Sequence, residues 1–224
     1  MRHSIRPLVL AVLLSSVVAA QAPAPPMQGQ QGLTEGMVAS AAQEVPDLVK
    51  RLRLAPGMTI ADVGAGFGAW TVAFARALAP TGRVYATDIG ERQIAFLREF
   101  VAREGLTTVT VLAAGERSTN LPNGCCDALL IRDAYHHLTS PIDILRSVAT
   151  ALKPGGRLAI ADFRPRPNSA VPTGVPADRL GHGVPVDVVV REVTTNGFTL
   201  VSRDEQWSPT SQPNDLFLLV FRKD

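Results

Sequence analysis

The stretch Ala61-Asp62-Val63-Gly64-Ala65-Gly66-Phe67-Gly68 decides the fold of this chain. It completes an apolar run that starts at Met58 and predicts a buried strand, and it precedes a segment, 69–78, whose apolar residues recur at helical spacing. Glycines between a strand and a helix let the backbone turn sharply and approach a ligand, and the following helix offers unpaired N–H groups. The stretch therefore predicts the ligand-binding turn of a βα unit.

The same alternation of short apolar runs and helical stripes continues along the chain. After a Pro- and Gly-rich segment, 164–183, a short helix over 186–195 precedes the last two strands. The predicted strands are 58–63, 83–89, 108–112, 128–131, 157–163, 198–203 and 215–222. Strands that alternate with helices predict a Rossmann-like, doubly wound α/β fold with a mostly parallel seven-stranded sheet, as a single domain over residues 35–224.

The end of the second strand carries an acidic residue, Asp88. An acid at this place accepts hydrogen bonds from ribose hydroxyls, so the glycine turn and Asp88 together predict a ligand of the adenosine type. The spacing Gly64-x-Gly66-x-x-Ala69 also fits the dinucleotide pattern. The residues alone thus leave a nicotinamide-dependent reductase open.

Four motifs in order resemble those of the class I S-adenosylmethionine-dependent methyltransferases, over about residues 36–224. They are the glycine turn at 62–68, the acid Asp88, the turn Leu152-Lys153-Pro154-Gly155-Gly156-Arg157-Leu158, and Asn196-Gly197-Phe198. The resemblance implies a small-molecule enzyme related to quinone methyltransferases, with S-adenosylmethionine as its cofactor. It also implies a seventh strand that lies antiparallel between the fifth and the sixth.

The resemblance further implies which residues contact the cofactor. Gly64 and Gly66 would lie against the methionine part, Asp88 would hold the ribose and Ile89 would flank the adenine. Glu116 would lie beside the adenine amino group, and Asp133 would line the boundary between cofactor and acceptor. The complete implied set is Asp62, Gly64, Ala65, Gly66, Asp88, Ile89, Glu116 and Asp133. The acceptor would be enclosed by the segment before Lys50 and by residues 164–183.

Two adjacent histidines follow the fourth strand, and they are the catalytic candidates. His136 or His137 could accept a proton from the acceptor as a general base, or both could pack under the next helix while the enzyme works by alignment alone. Asp162 and His182 could also face the pocket, although a structural role is the more common one for such residues. Adjacent side chains point apart, so the sequence predicts no metal site.

Composition excludes several other classes of protein. The net charge is +2 and 5% of the residues are aromatic, so the chain lacks the basic field and the stacking residues of a nucleic-acid binder. Its two cysteines, Cys125 and Cys126, are neighbours. Neighbouring cysteines fit poorly to ordinary disulfide geometry, so they are predicted to be buried apolar residues. The predicted partner is a small-molecule acceptor, and the sequence does not indicate an oligomeric state.

The beginning of the chain is typical of a secretory signal peptide. Arg2 and Arg6 precede the uncharged apolar run 8–20, which ends in small residues and is too short to span a bilayer. We expect cleavage after Ala20, a flexible Pro- and Gln-rich spacer over 21–34, and an exported protein without stable membrane insertion; an uncleaved membrane anchor is the alternative. Because S-adenosylmethionine is made in the cytoplasm, export also leaves open a non-catalytic module that binds adenosyl ligands.

Overall fold

The computed structural model describes residues 32–207, 209 and 215–224. The predicted signal peptide and most of the predicted spacer lie outside the described residues, so both remain predictions. Within the described part, no helix is both long and apolar enough to cross a bilayer.

Five α-helices and seven β-strands occur in the described residues. The helices are α1 (Glu35–Leu52), α2 (Ala69–Ala77), α3 (Glu91–Arg103), α4 (Pro141–Ala151) and α5 (Val186–Thr194). The strands are β1 (Thr59–Val63), β2 (Arg83–Asp88), β3 (Val109–Ala113), β4 (Cys126–Arg132), β5 (Leu152–Phe163), β6 (Phe198–Asp204) and β7 (Leu216–Lys223). All seven predicted strands are thereby confirmed within a few residues.

The strands form one sheet in the order β3-β2-β1-β4-β5-β7-β6. Strands β1 to β5 pair in parallel, whereas β7 pairs antiparallel with both β5 and β6. The mostly parallel seven-stranded sheet and the place of its last strand are as predicted. Because β1 and β4 are central, the carboxyl ends of both strands open onto the switch point at which α/β sheets bind ligands.

The sheet is covered on both faces, which explains its continuous apolar strands. The β4 residues 128–131 are completely buried, and so are the β5 residues 158–161. One apolar cluster lies between the sheet and helices α4 and α5, and a second packs α1 and α2 on the opposite face. Parallel strands with helices on both faces lose the alternation that marks a half-exposed strand.

The structure adds two features to the prediction. Helix α1 occupies a segment for which no helix was predicted; it contains Pro46 in its interior. Strand β5 begins at Leu152, immediately after α4, and not at Arg157. The turn residues 153–156 therefore belong to a strand that is irregularly paired with β4 between Cys126 and Ala128.

The cysteines correct another expectation. The structure joins Cys125 and Cys126 in a disulfide between adjacent residues, with Cα atoms 3.7 Å apart, in place of two thiols. The pair lies at the amino end of β4, on the opposite edge of the sheet from the predicted ligand site. It links no distant segments.

Candidate functional site

The turn between β1 and α2 is built on glycine conformations. Gly66 has φ +55°, a region that side chains disfavour, and a Cβ placed there would meet no described atom within 4 Å. Its N–H donates to Asp88 Oδ2 at 2.8 Å, while the other carboxylate oxygen of Asp88 accepts from Gly90 N at 2.9 Å. Asp88 therefore fixes the glycine turn as well as lying at the end of β2.

A cavity of about 500 Å³ opens at the carboxyl ends of β1, β2 and β4. Six of the eight predicted cofactor residues line it: Gly64, Gly66, Asp88, Ile89, Glu116 and Asp133. Its remaining wall is largely apolar and includes Ile131, Leu138 and Ile144. The fold thus brings the residues of the glycine turn, of β2 and of the segment after β3 to one cavity.

Asp62 and Ala65 do not line this cavity. Asp62 is buried and accepts a hydrogen bond from Thr71 Oγ1 at 2.7 Å. Burial raises the pKa of Asp62 to about 6, against the opposing effects of the Thr71 hydrogen bond and the Arg132 charge. Ala65 packs with Ala86 and Leu97. The structure thus shows Asp62 joining β1 to α2, and Ala65 as part of the core.

Asp133 stands at the cavity on a left-handed backbone, with φ +53°. Partial burial raises the pKa of its carboxyl, although Arg132 opposes the shift. Arg132 Nη1 lies 3.9 Å from Asp133 Oδ2, while Nε and Nη2 of the same guanidinium donate to the buried carboxylate of Glu44 in α1 at 2.7 and 2.9 Å. Trp70 Nε1 donates to the same carboxylate at 2.8 Å. These contacts hold the end of β4, from which Asp133 projects.

The two catalytic candidates have different surroundings. His137 lines the cavity and keeps part of its surface in contact with solvent. The partial desolvation of its ring, followed by the charges of His136 and His182, lowers its pKa. His136 is buried, and its Nδ1 lies 2.8 Å from Asp162 Oδ1. Its backbone N–H donates to the other oxygen of Asp162 at 3.0 Å. Of the two, only His137 faces the cavity.

Asp162 and His182 do not line the cavity, but both lie against the histidine pair. Asp162, at the end of β5, supplies His136 with a carboxylate partner, and the His182 ring lies 4.9 Å from that of His136, centroid to centroid. The signal for Asp162 was its place at the end of a central parallel strand. His182 carried no such signal, because it lies in the irregular loop 164–183.

The regions predicted to enclose the acceptor differ. The described lining of the cavity contains no residue of 32–50, so the described part of the segment before Lys50 does not border it; the rest of that segment lies outside the described residues. The loop 164–183 does reach the rim, since Gly174 approaches Thr139 of the lining and the His182 ring lies 5.5 Å from that of His137. The loop is anchored by Arg179, which is completely buried and paired with Glu192 of α5 at 2.9 and 3.0 Å.

The part of the chain that forms much of this cavity is similar in sequence to known methyltransferases. Residues 61–160 match the family of the methyltransferase domain. The ubiquinone/menaquinone biosynthesis C-methyltransferase UbiE of Burkholderia vietnamiensis is 30% identical over 115 residues, which make up 51% of this chain and 47% of the relative. The chain therefore spans about half the length of the curated relatives that it matches.

Solved structures resemble the chain over most of its length. A SAM-dependent methyltransferase from Aquifex aeolicus has a TM-score of 0.66 at 24% identity, covering 84% of this chain and 92% of its own. One from Mesorhizobium loti has a TM-score of 0.62 at 24% identity, covering 81% and 98%. The [4+2]-cyclase SpnF has a TM-score of 0.65 at 18% identity, covering 81% and 80%. Residues 61–160 are therefore similar in sequence to the methyltransferase domain, and the described chain has the fold of the S-adenosylmethionine-dependent methyltransferases.

Proposed function

We propose that the chain is an S-adenosylmethionine-dependent methyltransferase that acts on a small molecule. The observation that carries the proposal is the contact between Gly66 and Asp88. Gly66 has no side chain and leaves open space in the cavity, and the carboxylate of Asp88 lies beside this space at the end of β2. The matched family segment contains this junction, Asp133 and the start of β5. A fold alone does not identify a reaction, as the similar fold of the [4+2]-cyclase SpnF illustrates.

The residues of the cavity fit the cofactor. The open space at Gly66 suits the methionine part, Asp88 suits the ribose hydroxyls, and the exposed side chain of Ile89 suits the adenine ring. When bound, S-adenosylmethionine supplies an electrophilic methyl group on a sulfonium. The chain then has to align the acceptor with this methyl group and exclude water.

The inner wall of the cavity favours an apolar acceptor. Ile131, Leu138 and Ile144 present aliphatic surface, and Asp133 and His137 add the few polar groups typical of small-molecule sites. The similar protein UbiE is a C-methyltransferase of ubiquinone and menaquinone biosynthesis. We therefore propose a quinol or a phenol as the acceptor class for this chain. The near-neutral charge supports a small molecule over nucleic acid.

Measurements of ligand binding and turnover distinguish the methyltransferase from two alternatives, a non-catalytic module that binds adenosyl ligands and a nicotinamide-dependent reductase. Titration of the purified chain with S-adenosylhomocysteine, NAD and NADP is expected to show binding of the first alone. Quinols, phenols and amines are then tested for methyl transfer with labelled S-adenosylmethionine. Tight binding without transfer to any acceptor would favour the binding module, and preferential binding of NAD or NADP would favour the reductase.

Asp88→Ala is expected to weaken S-adenosylhomocysteine binding by about 1.5–3 kcal/mol, the range for hydrogen bonds to a charged partner. This corresponds to a loss of about 10- to 150-fold. The change removes the ribose acceptor and the hydrogen bond that fixes Gly66 N. Calorimetry measures the affinity, and Asp88→Asn, which keeps one acceptor oxygen, is the matched control with a smaller loss. An unchanged affinity in Asp88→Ala, with the fold intact by circular dichroism, would remove Asp88 from the site.

We also propose that the chain is exported and that the mature protein begins at about Gln21. The basic start, the short apolar run and the small residues that end it occur in the order that signal peptidase requires. N-terminal sequencing of the protein from the periplasmic or secreted fraction is expected to read from about Gln21. Recovery of uncleaved chains beginning at Met1 in the cytoplasmic fraction alone would rule out export.

A further inference from the structure

We propose that His136, His137 and His182 form a binding site for a transition-metal ion, zinc by preference, beside the cofactor cavity. One side-chain nitrogen of each histidine lies within 4.8 Å of the others. The ring centroids are 4.0 Å apart for His136 and His137, 4.9 Å for His136 and His182, and 5.5 Å for His137 and His182. The chain has four histidines, so three of the four meet at this one place.

The hydrogen bonding of His136 supports a ligand on its free nitrogen. Its Nδ1 is engaged by Asp162, while its Nε2 is buried and has no hydrogen-bond partner among the described residues. A buried polar atom without a partner destabilises the fold, and a metal ion bound to Nε2 would supply the partner. Metal-binding histidines typically donate their other ring N–H to a carboxylate, which is the arrangement of His136 and Asp162.

The loop 164–183 is shaped to present His182. The backbone N–H of His182 donates to Ser169 Oγ at 2.8 Å, and the His182 carbonyl accepts from Arg166 N at 3.0 Å. The next residue, Gly183, has φ +124°, and a Cβ there would lie 2.5 Å from the carbonyl oxygen of Arg164. This close backbone approach holds the irregular loop against the end of β5, which places the imidazole beside the other two.

The donor set indicates the class of metal. Three imidazoles suit zinc, copper, iron or nickel, and three protein ligands with one open position are typical of catalytic zinc. Asp133 belongs to a second group of possible ligands, with His136 and Asp162. Zinc–nitrogen bonds are about 2.0–2.1 Å long, so the rings must draw together when the ion binds. The exposed His137 would direct the open position toward the cavity.

The role of this ion rests on the proposed methyltransferase function, but its binding does not. A hydroxyl of the acceptor would bind the ion and lose its proton to solvent, since a bound cation favours the anion. The resulting anion would form a bond to the methyl carbon through the atom that is methylated. The bond from this carbon to sulfur would break, its electron pair would remain on sulfur, and the sulfonium would become a neutral thioether.

Zinc titration of the full chain, without a polyhistidine tag and after removal of metals by a chelator, tests the site. We expect one zinc ion per chain, and a cobalt-substituted form with the strong visible absorption of tetrahedral cobalt. His182→Ala should lower zinc affinity by more than about 100-fold. Asp162→Asn should lower it by about 10- to 100-fold, the range for partners that orient a ligand.

The controls separate this proposal from the proposed function. Asp187→Ala changes an exposed carboxylate on α5 and should leave zinc affinity unchanged. S-adenosylhomocysteine affinity, measured without zinc, should be the same in His182→Ala as in the unmodified chain, which also shows that the variant is folded. Zinc binding without S-adenosylhomocysteine binding would overturn the methyltransferase function and leave the metal site standing. Zinc stoichiometry far below one, or equal affinity in His182→Ala, would overturn the metal site.

Discussion

Gly66→Val is expected to abolish S-adenosylhomocysteine binding, with affinity at least about 100-fold lower, or about 2.8 kcal/mol. Gly66 faces the open space of the cavity, so the added side chain would occupy volume that the ligand needs. A β-branched residue at φ +55° also strains the turn and disturbs the N–H that Asp88 binds. Calorimetric titration of the folded variant measures the loss.

The end of α3 offers a matched control for Gly66→Val. Gly105 has φ +63° and, like Gly66, open space within 4 Å of its added Cβ in the described structure, but it does not line the cavity. Gly105→Val should therefore strain the backbone as Gly66→Val does and lower the melting temperature by a similar amount. It should leave the affinity for S-adenosylhomocysteine unchanged. If Gly66→Val binds within tenfold of the unmodified chain, or if Gly105→Val loses binding equally, the glycine turn is not the cofactor site.

Glu192→Ala is expected to lower the free energy of unfolding by about 3–5 kcal/mol, the cost of leaving a buried charge unpaired. The guanidinium of Arg179 is completely buried and donates twice to Glu192, and Tyr135 Oη also donates to Glu192 at 2.7 Å. The substitution removes the hydrogen-bond acceptor of Arg179 and of Tyr135 at the same time. Urea unfolding followed by tryptophan fluorescence measures the change.

Asp178→Ala is the control for the buried pair. Asp178 is half exposed and contacts Arg179 only at 3.4 Å, in addition to an exposed pair with Arg191. Its removal should cost less than about 1 kcal/mol, as for other surface ion pairs. Equal losses in Glu192→Ala and Asp178→Ala would show that the burial of Arg179 does not determine the stability of the loop 164–183.

Most of the sheet was predictable because its parallel strands are buried on both faces. Such strands form continuous apolar runs, as in β4, and these runs stand out between turn residues. The order of the strands came from a family resemblance, since hydrophobic periodicity carries no information on strand order. Helix α1 escaped prediction because Pro46 interrupts its pattern and its buried positions become apparent only when it packs against α2.

The two parts of the candidate site differ in predictability for a physical reason. Gly64, Gly66 and Asp88 lie at the ends of consecutive strands, so local sequence and sheet geometry bring them together. The histidine group depends on tertiary contacts, because His182 arrives through a loop whose course is set by the burial of Arg179 and by backbone hydrogen bonds. The adjacent pair His136 and His137 alone predicts no metal site. The fold brings His182 to this pair, and the group of three is the basis for the proposed metal site.

The contact between Glu44 and Arg132 limits how the protein can open. Glu44 is completely buried, and Arg132 lies over the Trp70 ring at 3.7 Å while it binds Glu44. Moving α1 away from the sheet would break this buried ion pair and its contact with Trp70, so we expect the helix to stay in place. Any movement that opens the cavity is instead expected at its rim, where the segment near Gly174 meets Thr139.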